Sequence, residues 1–177
     1  SRDAYADIAF DEKKEFRVRA GQSKVPFGFT NMQSSQNRLA LERAEAINNA
    51  AEGERDQGVF LMWAPAQIRE RFRHLVSSGL KGSGDYGVLT AGAYSGQGLN
   101  RTDQNDQLHI LAHAAYPIEF PGGQIFEPSM HAYVGKYVPR TSEVVIDKET
   151  EETLTPGFDD PNGVDDRRIG WSAVLYP

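Results

Sequence analysis

Cysteine is absent from the 177 residues. That excludes disulfide frameworks, cysteine–zinc sites and thiol nucleophiles together. No apolar run approaches the length of a membrane helix. Hydrophobic residues make up only 39%, and the mean hydropathy is -0.55. Such averages suit a soluble protein. They also suit a membrane barrel, in which only every second strand residue meets lipid while loops and interior stay polar. The net charge of -6 argues against a nucleic-acid partner. Ser1-Arg2-Asp3-Ala4-Tyr5 carries no charged-then-apolar leader, so a secreted chain is expected here in mature form or as an internal piece. Motifs for catalysis are missing too. Ser95-Gly96-Gln97-Gly98 lacks the strand–turn–helix setting of a hydrolase elbow, and Gly82-Ser83-Gly84 is no phosphate-cradling fingerprint. The chain is not expected to be an enzyme.

What is present is alternation, the signal of half-buried strands. Over Arg2–Phe10, Ala4, Ala6, Ile8 and Phe10 face one way and Asp3, Tyr5 and Asp7 the other. Over Glu15–Ala20, Phe16 and Val18 oppose Arg17 and Arg19. Gln107–Tyr116 sets Leu108, Ile110, Ala112 and Ala114 against His109, Leu111 and His113. Arg168–Tyr176 sets Ile169, Trp171, Ala173 and Leu175 against Arg168, Ser172 and Tyr176. Asp56–Ala64, Asp85–Ser95 and Pro128–Val138 alternate less cleanly. These seven predicted strands define an all-β chain.

The connections alternate between long and shorter. Asp11–Lys13 and Pro117–Glu127 are short; Gln22–Arg55, Gly96–Asp106 and Pro139–Asp166 are long. Outer-membrane barrels alternate short periplasmic turns with long external loops. Pro65–Gly84 is intermediate, and its Ile68–Val76 stretch predicts a short amphipathic helix at the periplasmic rim. Three strands expected to run toward that rim end in Ala64-Pro65, Tyr116-Pro117 and Tyr176-Pro177. Proline lacks a ladder donor and belongs at a strand end; tyrosine suits a lipid–water boundary. A Tyr-Pro pair also closes strands of other kinds. The long first loop is rich in helix formers over Gln33–Asn48, and such a helix, folded inward, would constrict a pore.

Several stretches resemble one family. Arg19-Ala20-Gly21-Gln22-Ser23-Lys24-Val25-Pro26-Phe27-Gly28, with Gln33-Ser34-Ser35, Asn37-Arg38 and Leu41-Glu42-Arg43, is similar to a segment of the phosphate-selective porin O and P family. Asp56-Gln57-Gly58-Val59 resembles the start of that family's next strand. Tyr94-Ser95-Gly96-Gln97-Gly98-Leu99-Asn100 resembles its recurrent asparagine-glycine-glutamine-glycine segment, with Ser95 where asparagine is common. The resemblance keeps its order over residues 15–116 and implies an antiparallel transmembrane β-barrel of roughly sixteen strands. It also implies a homotrimer in outer-membrane lipid, passing phosphate or related small anions. Residues 1–177 are then expected to be one barrel region of about seven strands, incomplete at the C-terminal end and open to continuation at the N-terminal end. A helical loop is expected to fold toward the pore.

Anion selection needs fixed positive charge on a confined aqueous path. Arg17 and Arg19 share one polar strand face, Lys24 follows at its external end, and Arg38 and Arg43 lie on the expected loop helix. A guanidinium binds phosphate oxygens bidentately. The other reading is that Arg38 and Arg43 pair with Glu42 and Glu45, or with wall carboxylates, and pin the loop. Asp3, Tyr5, Asp7, His109, His113, His131 and Tyr133 are expected to face the lumen. His109 and His113 stand about 13 Å apart along their strand, too far to chelate one metal. Asp103–Asp106 and Asp159–Asp166 have calcium-loop composition without EF-hand spacing, so calcium is the one ion suggested, and no cofactor is expected. The acidic stretches at Glu149–Glu152 and Asp159–Asp166 are expected outside the pore. The alternative is a soluble all-β ligand- or carbohydrate-binding module, whose apolar faces would turn inward against a second sheet.

Overall fold

The alternating segments pair in chain order. A computed structural model describes residues 3–34, 36, 54–98, 105–138 and 163–177. Within them run β1 (Ala4–Ala9), β2 (Phe16–Lys24), α1 (Phe29–Met32), β3 (Arg55–Trp63), α2 (Ala66–Ser77), β4 (Leu89–Tyr94), β5 (His109–Ala115), β6 (Ile118–Glu119), β7 (Ile125–Tyr137) and β8 (Val164–Tyr176). All pairings are antiparallel, and the strands form one sheet in the order β1-β2-β3-β4-β5-β7. The two-residue β6 and the long β8 both pair with β7. No pairing joins β1 to β8 among the described residues, so the sheet is not closed. No described helix is long and apolar enough to cross a membrane, which says nothing about crossing by strands.

The period of two sorts the side chains cleanly. One face carries Ile8, Phe16, Val59, Leu61, Leu89, Ile110, Met130, Val134, Ile169, Trp171 and Leu175, all exposed. Ile110 is 54% exposed and Trp171 79%, values that suit a lipid contact rather than a water-facing surface. No second sheet covers this face among the described residues. The opposite face carries Arg17, Arg19, Asp56, Thr90, His109, His113, Glu127 and His131, all buried. Near the short-turn end, Phe16 and Trp63 meet with ring centroids 6.3 Å apart, and Phe10 and Tyr116 are exposed beside the same end. Aromatic residues favour that depth at a bilayer boundary.

The short turns are built locally. In the β1–β2 turn the Asp11 carboxylate accepts the amides of Glu15 (3.0 Å) and Phe16 (2.9 Å). These bonds, that to Phe16 first, hold the Asp11 carboxyl below the usual range. Its contribution to the turn is therefore full above the unfolded value of about 3.9 and lost as pH falls through the depressed folded value. Asp11→Ala is expected to speed tryptic cleavage after Lys13 and Lys14; an unchanged cleavage rate would mean the turn does not depend on this side chain.

Pro128 sits inside β7 without breaking it. The partner strand changes there: Ser129 pairs with Ala115 of β5, and Phe126 with Ile118 of β6. The Pro128 carbonyl accepts the Tyr116 amide at 3.2 Å, so its missing N–H faces the gap between the two partners.

Two segments fold onto the inner face. From the long-loop side, Val25 and Phe27 pack with Phe60, Met62, Tyr94, Leu111 and Tyr133. From the short-turn side comes α2. Its Ile68 and Phe72 pack on Ala64, Val88 and Ala115, and its Leu75 on Ile125 and Tyr176. That is the expected amphipathic helix, with Ile68, Phe72 and Leu75 on one stripe. Arg69 donates to the Lys14 carbonyl at 2.7 Å and Arg71 to the Pro117 carbonyl at 2.8 Å, so the helix spans from the β1–β2 turn to β6. The two segments touch where Gln33 Nε2 donates to the Lys81 carbonyl at 2.5 Å.

Three expectations change. Tyr176 does not sit at the lipid boundary: it is buried inward, and its hydroxyl donates to Glu127 at 2.8 Å. His109, His113, His131 and Tyr133 do face inward, but the infolded segments bury them. The strands are also longer than their cleanest alternation. β2 runs on to Lys24, β7 begins at Ile125 and β8 at Val164, whereas β4 begins only at Leu89. The helix expected over Gln33–Asn48 lies almost wholly outside the described residues, as do the acidic stretch at Glu149–Glu152 and most of Asp159–Asp166.

Candidate functional site

β1 and β2 are the part of the inner face that the core packing leaves open. Beside them lies a cavity of about 420 Å³. Arg17, Arg19, Lys24, Arg55 and Arg73 line it, with Asp3 and Asp85. Arg17, Arg19 and Lys24 are thus brought together in one place. Arg38 and Arg43 lie outside the described residues.

Each wall cation is held. Arg17 Nη2 donates to Asp85 Oδ1 at 2.7 Å, and Arg69 Nε donates to the other oxygen at 2.8 Å. Arg19 grips Asp7 with two bonds of 2.7 and 2.8 Å, while its guanidinium lies 4.2 Å from the Tyr5 ring centre and 5.6 Å from that of Tyr86. Lys24 donates to the carbonyls of Asn31 (2.9 Å) and Gln33, and lies 3.5 Å from Glu54. Arg55 bonds Asp3 at 2.8 Å and 3.1 Å and Glu54 at 2.9 Å, and it holds the Asp3 carboxyl below the usual range. Asp7 is itself more exposed (34%) than the Arg19 it holds (10%), and Glu54 is about as buried as Lys24. The five lining cations are then faced by Asp3, Asp7, Glu54 and Asp85, so the site keeps a small positive excess within dense pairing.

Arg55, Asp85 and Arg73 were not singled out in the sequence. Arg55 follows Glu54 at a strand start with no alternation to mark its side. Asp85 opens the predicted strand Asp85–Ser95, but the observed strand begins only at Leu89, and Asp85 lies on the return from α2 before it. Arg73 reads as one more charge on an amphipathic helix.

The family-like motifs have structural roles beside the cavity. Asp56, buried on β3, accepts the amides of Gly96 (2.9 Å), Gly98 (3.1 Å) and Gln57 (2.7 Å), and the Ser95 hydroxyl. The Asp56-Gln57-Gly58 and Ser95-Gly96-Gln97-Gly98 stretches are thus two halves of one contact. Gly96 and Gly135 make room for His109: a Cβ on Gly96 would fall 1.7 Å from His109 Nδ1, and one on Gly135 2.4 Å from its Cγ. His113 and His131, paired across β5 and β7, hold their Nδ1 atoms 3.2 Å apart. Their planes are parallel within 2° and their centroids 5.5 Å apart. That separation equals the Nδ1···Nδ1 distance plus the two ring radii, so the rings lie edge to edge within hydrogen-bonding distance, not face to face. No group of three or more metal-ligating side chains occurs among the described residues.

An antiparallel sheet with an exposed apolar outer face and a charged inner face is the arrangement that strands take in a transmembrane β-barrel. The chain belongs to the phosphate-selective porin O and P family, whose model matches residues 1–174. Neither the curated proteins nor the solved structures give a significant match.

Proposed function

We propose that this chain forms part of the wall of a bacterial outer-membrane channel that passes small anions such as phosphate by passive diffusion. The observation that carries this is the cavity beside β1 and β2, lined by five cations and two carboxylates on the face of the sheet opposite the exposed apolar one. Arg17, Arg19 and Lys24 supply the field of the wall. Arg38 and Arg43 would add to it from the long loop. The unpaired edges of β1 and β8 cannot stand open in lipid, where every backbone donor needs a partner, so the sheet is read as one part of a larger barrel. A homotrimer is the assembly that the family suggests.

The full-length protein in a planar bilayer under a potassium chloride gradient tests this reading. An anion-selective reversal potential is expected, with phosphate reducing chloride conductance. Arg38→Ala with Arg43→Ala should lower the anion preference; unchanged selectivity would remove those two from the filter. A detergent-independent, water-soluble monomer would end the channel reading altogether.

A further inference from the structure

We infer that Arg73, on the helix inserted from the short-turn side, sets the anion preference of the cavity, more than the wall arginines do. The inference rests on the channel reading above. Anion recognition needs a cation whose N–H groups are available to the solute. The wall side chains are not: Arg17, Arg19, Lys24 and Arg55 are at most 11% exposed, and each is engaged by carboxylates or carbonyls at short range. Arg73 lines the same cavity with its side chain 63% exposed. Its carboxylate neighbour among the described residues is Glu70, one turn back, at 4.0 Å and 73% exposed. Such a solvated pair is weak and yields readily to a better anion.

The helix explains why Arg73 points there. Ile68, Phe72 and Leu75 bury one stripe of α2 against the wall. Arg69, Arg73 and Val76 follow on the neighbouring stripe at spacings of four and three. Arg69 is taken by Asp85, and Arg73 and Val76 line the cavity. The wall pairs then serve to fix the geometry, and the helix presents the cation that a passing solute can reach.

Charge exchange at this one position tests the inference, and these 177 residues hold no cysteine that would compete for the reagent. Full-length wild type, Arg73→Cys, Arg73→Glu and Arg73→Lys are compared in planar bilayers by reversal potential under a potassium chloride gradient. Arg73→Cys should lose anion preference several-fold. A cationic methanethiosulfonate should restore it and an anionic one should lower it further, with wild type unaffected by either. Arg73→Lys should stay close to wild type, and Arg73→Glu should fall furthest at nearly unchanged open-channel stability. If wild type is anion-selective and Arg73→Glu matches it, the Arg73 assignment is overturned and the channel reading stands. If wild type shows no anion preference, both fall.

Discussion

Gly135→Ala is expected to destabilise the detergent-solubilised protein by about 3 kcal/mol, at the upper end of what overpacking does. The new Cβ would lie 2.4 Å from His109 Cγ and 2.6 Å from its Cδ2. The ring has nowhere to go. Tyr94 stands 5.2 Å from it on one side and Tyr133 5.3 Å on another, and His109 is only 2% exposed. Gly96 closes a further side, where a Cβ would meet the ring nitrogen and a φ of +80 adds backbone strain for any other residue. Gly135 has no such φ, so its replacement reports the steric clash alone. A urea titration followed by β-sheet circular dichroism measures the loss. The double variant Gly135→Ala with His109→Ala should recover much of it. A Gly135→Ala midpoint equal to wild type would show that the niche is looser than the geometry requires.

Asp56→Ala should weaken the same sheet by about 3–5 kcal/mol, because it leaves several donors without an acceptor at once. The amides of Gly96 and Gly98 and the Ser95 hydroxyl all point at this carboxylate, and Asp56 is buried. Water replaces a lost acceptor poorly in such a site. The effect should be local first. The chain following β4 should become open to proteases before the sheet unfolds, and Asp56→Asn, which keeps one carbonyl oxygen, should fall between wild type and alanine. Limited proteolysis with mass mapping, run beside the urea titration, separates the two stages. Equal protease sensitivity in all three proteins would mean that the Ser95–Gly98 stretch is held by something other than Asp56.

Much of the wall was legible because a period of two survives wherever one face meets lipid. Leu108, Ile110, Ala112 and Ala114 announced the outer face of β5, and Ile169, Trp171 and Leu175 that of β8. The helix α2 was legible through Ile68, Phe72 and Leu75. Its stripe lands on Ala64, Val88, Ala115, Ile125 and Tyr176, all at the short-turn ends of their strands, which is the rim expected for it. That the helix lies over the inner face there is what no apolar stripe records. Charged strand ends hid themselves too. Asp165 and Asp166 fall in the long connection Pro139–Asp166 by sequence, yet Arg167 pairs with Asp165 and Arg168 with Asp166 two residues apart on shared strand faces. Pro128 concealed the start of β7, since proline is tolerated there only through the change of partner strand, which no local pattern records. At the cavity, Arg17 and Arg19 followed from alternation. Asp85 did not, because the return from α2 places it by packing rather than by period.

The inner face is filled over β3 to β7 and open along β1 and β2. These two regions should answer differently to selection. A library screened for altered permeation should draw its variants from positions such as Tyr5, Arg19, Tyr86 and Arg73, around the open part. A library screened for survival at high temperature should draw them from Phe27, Phe60, Leu111 and Tyr133, under the filled part. One sheet would then carry two nearly independent evolutionary margins, and its transport properties could drift without touching the interior that keeps it folded.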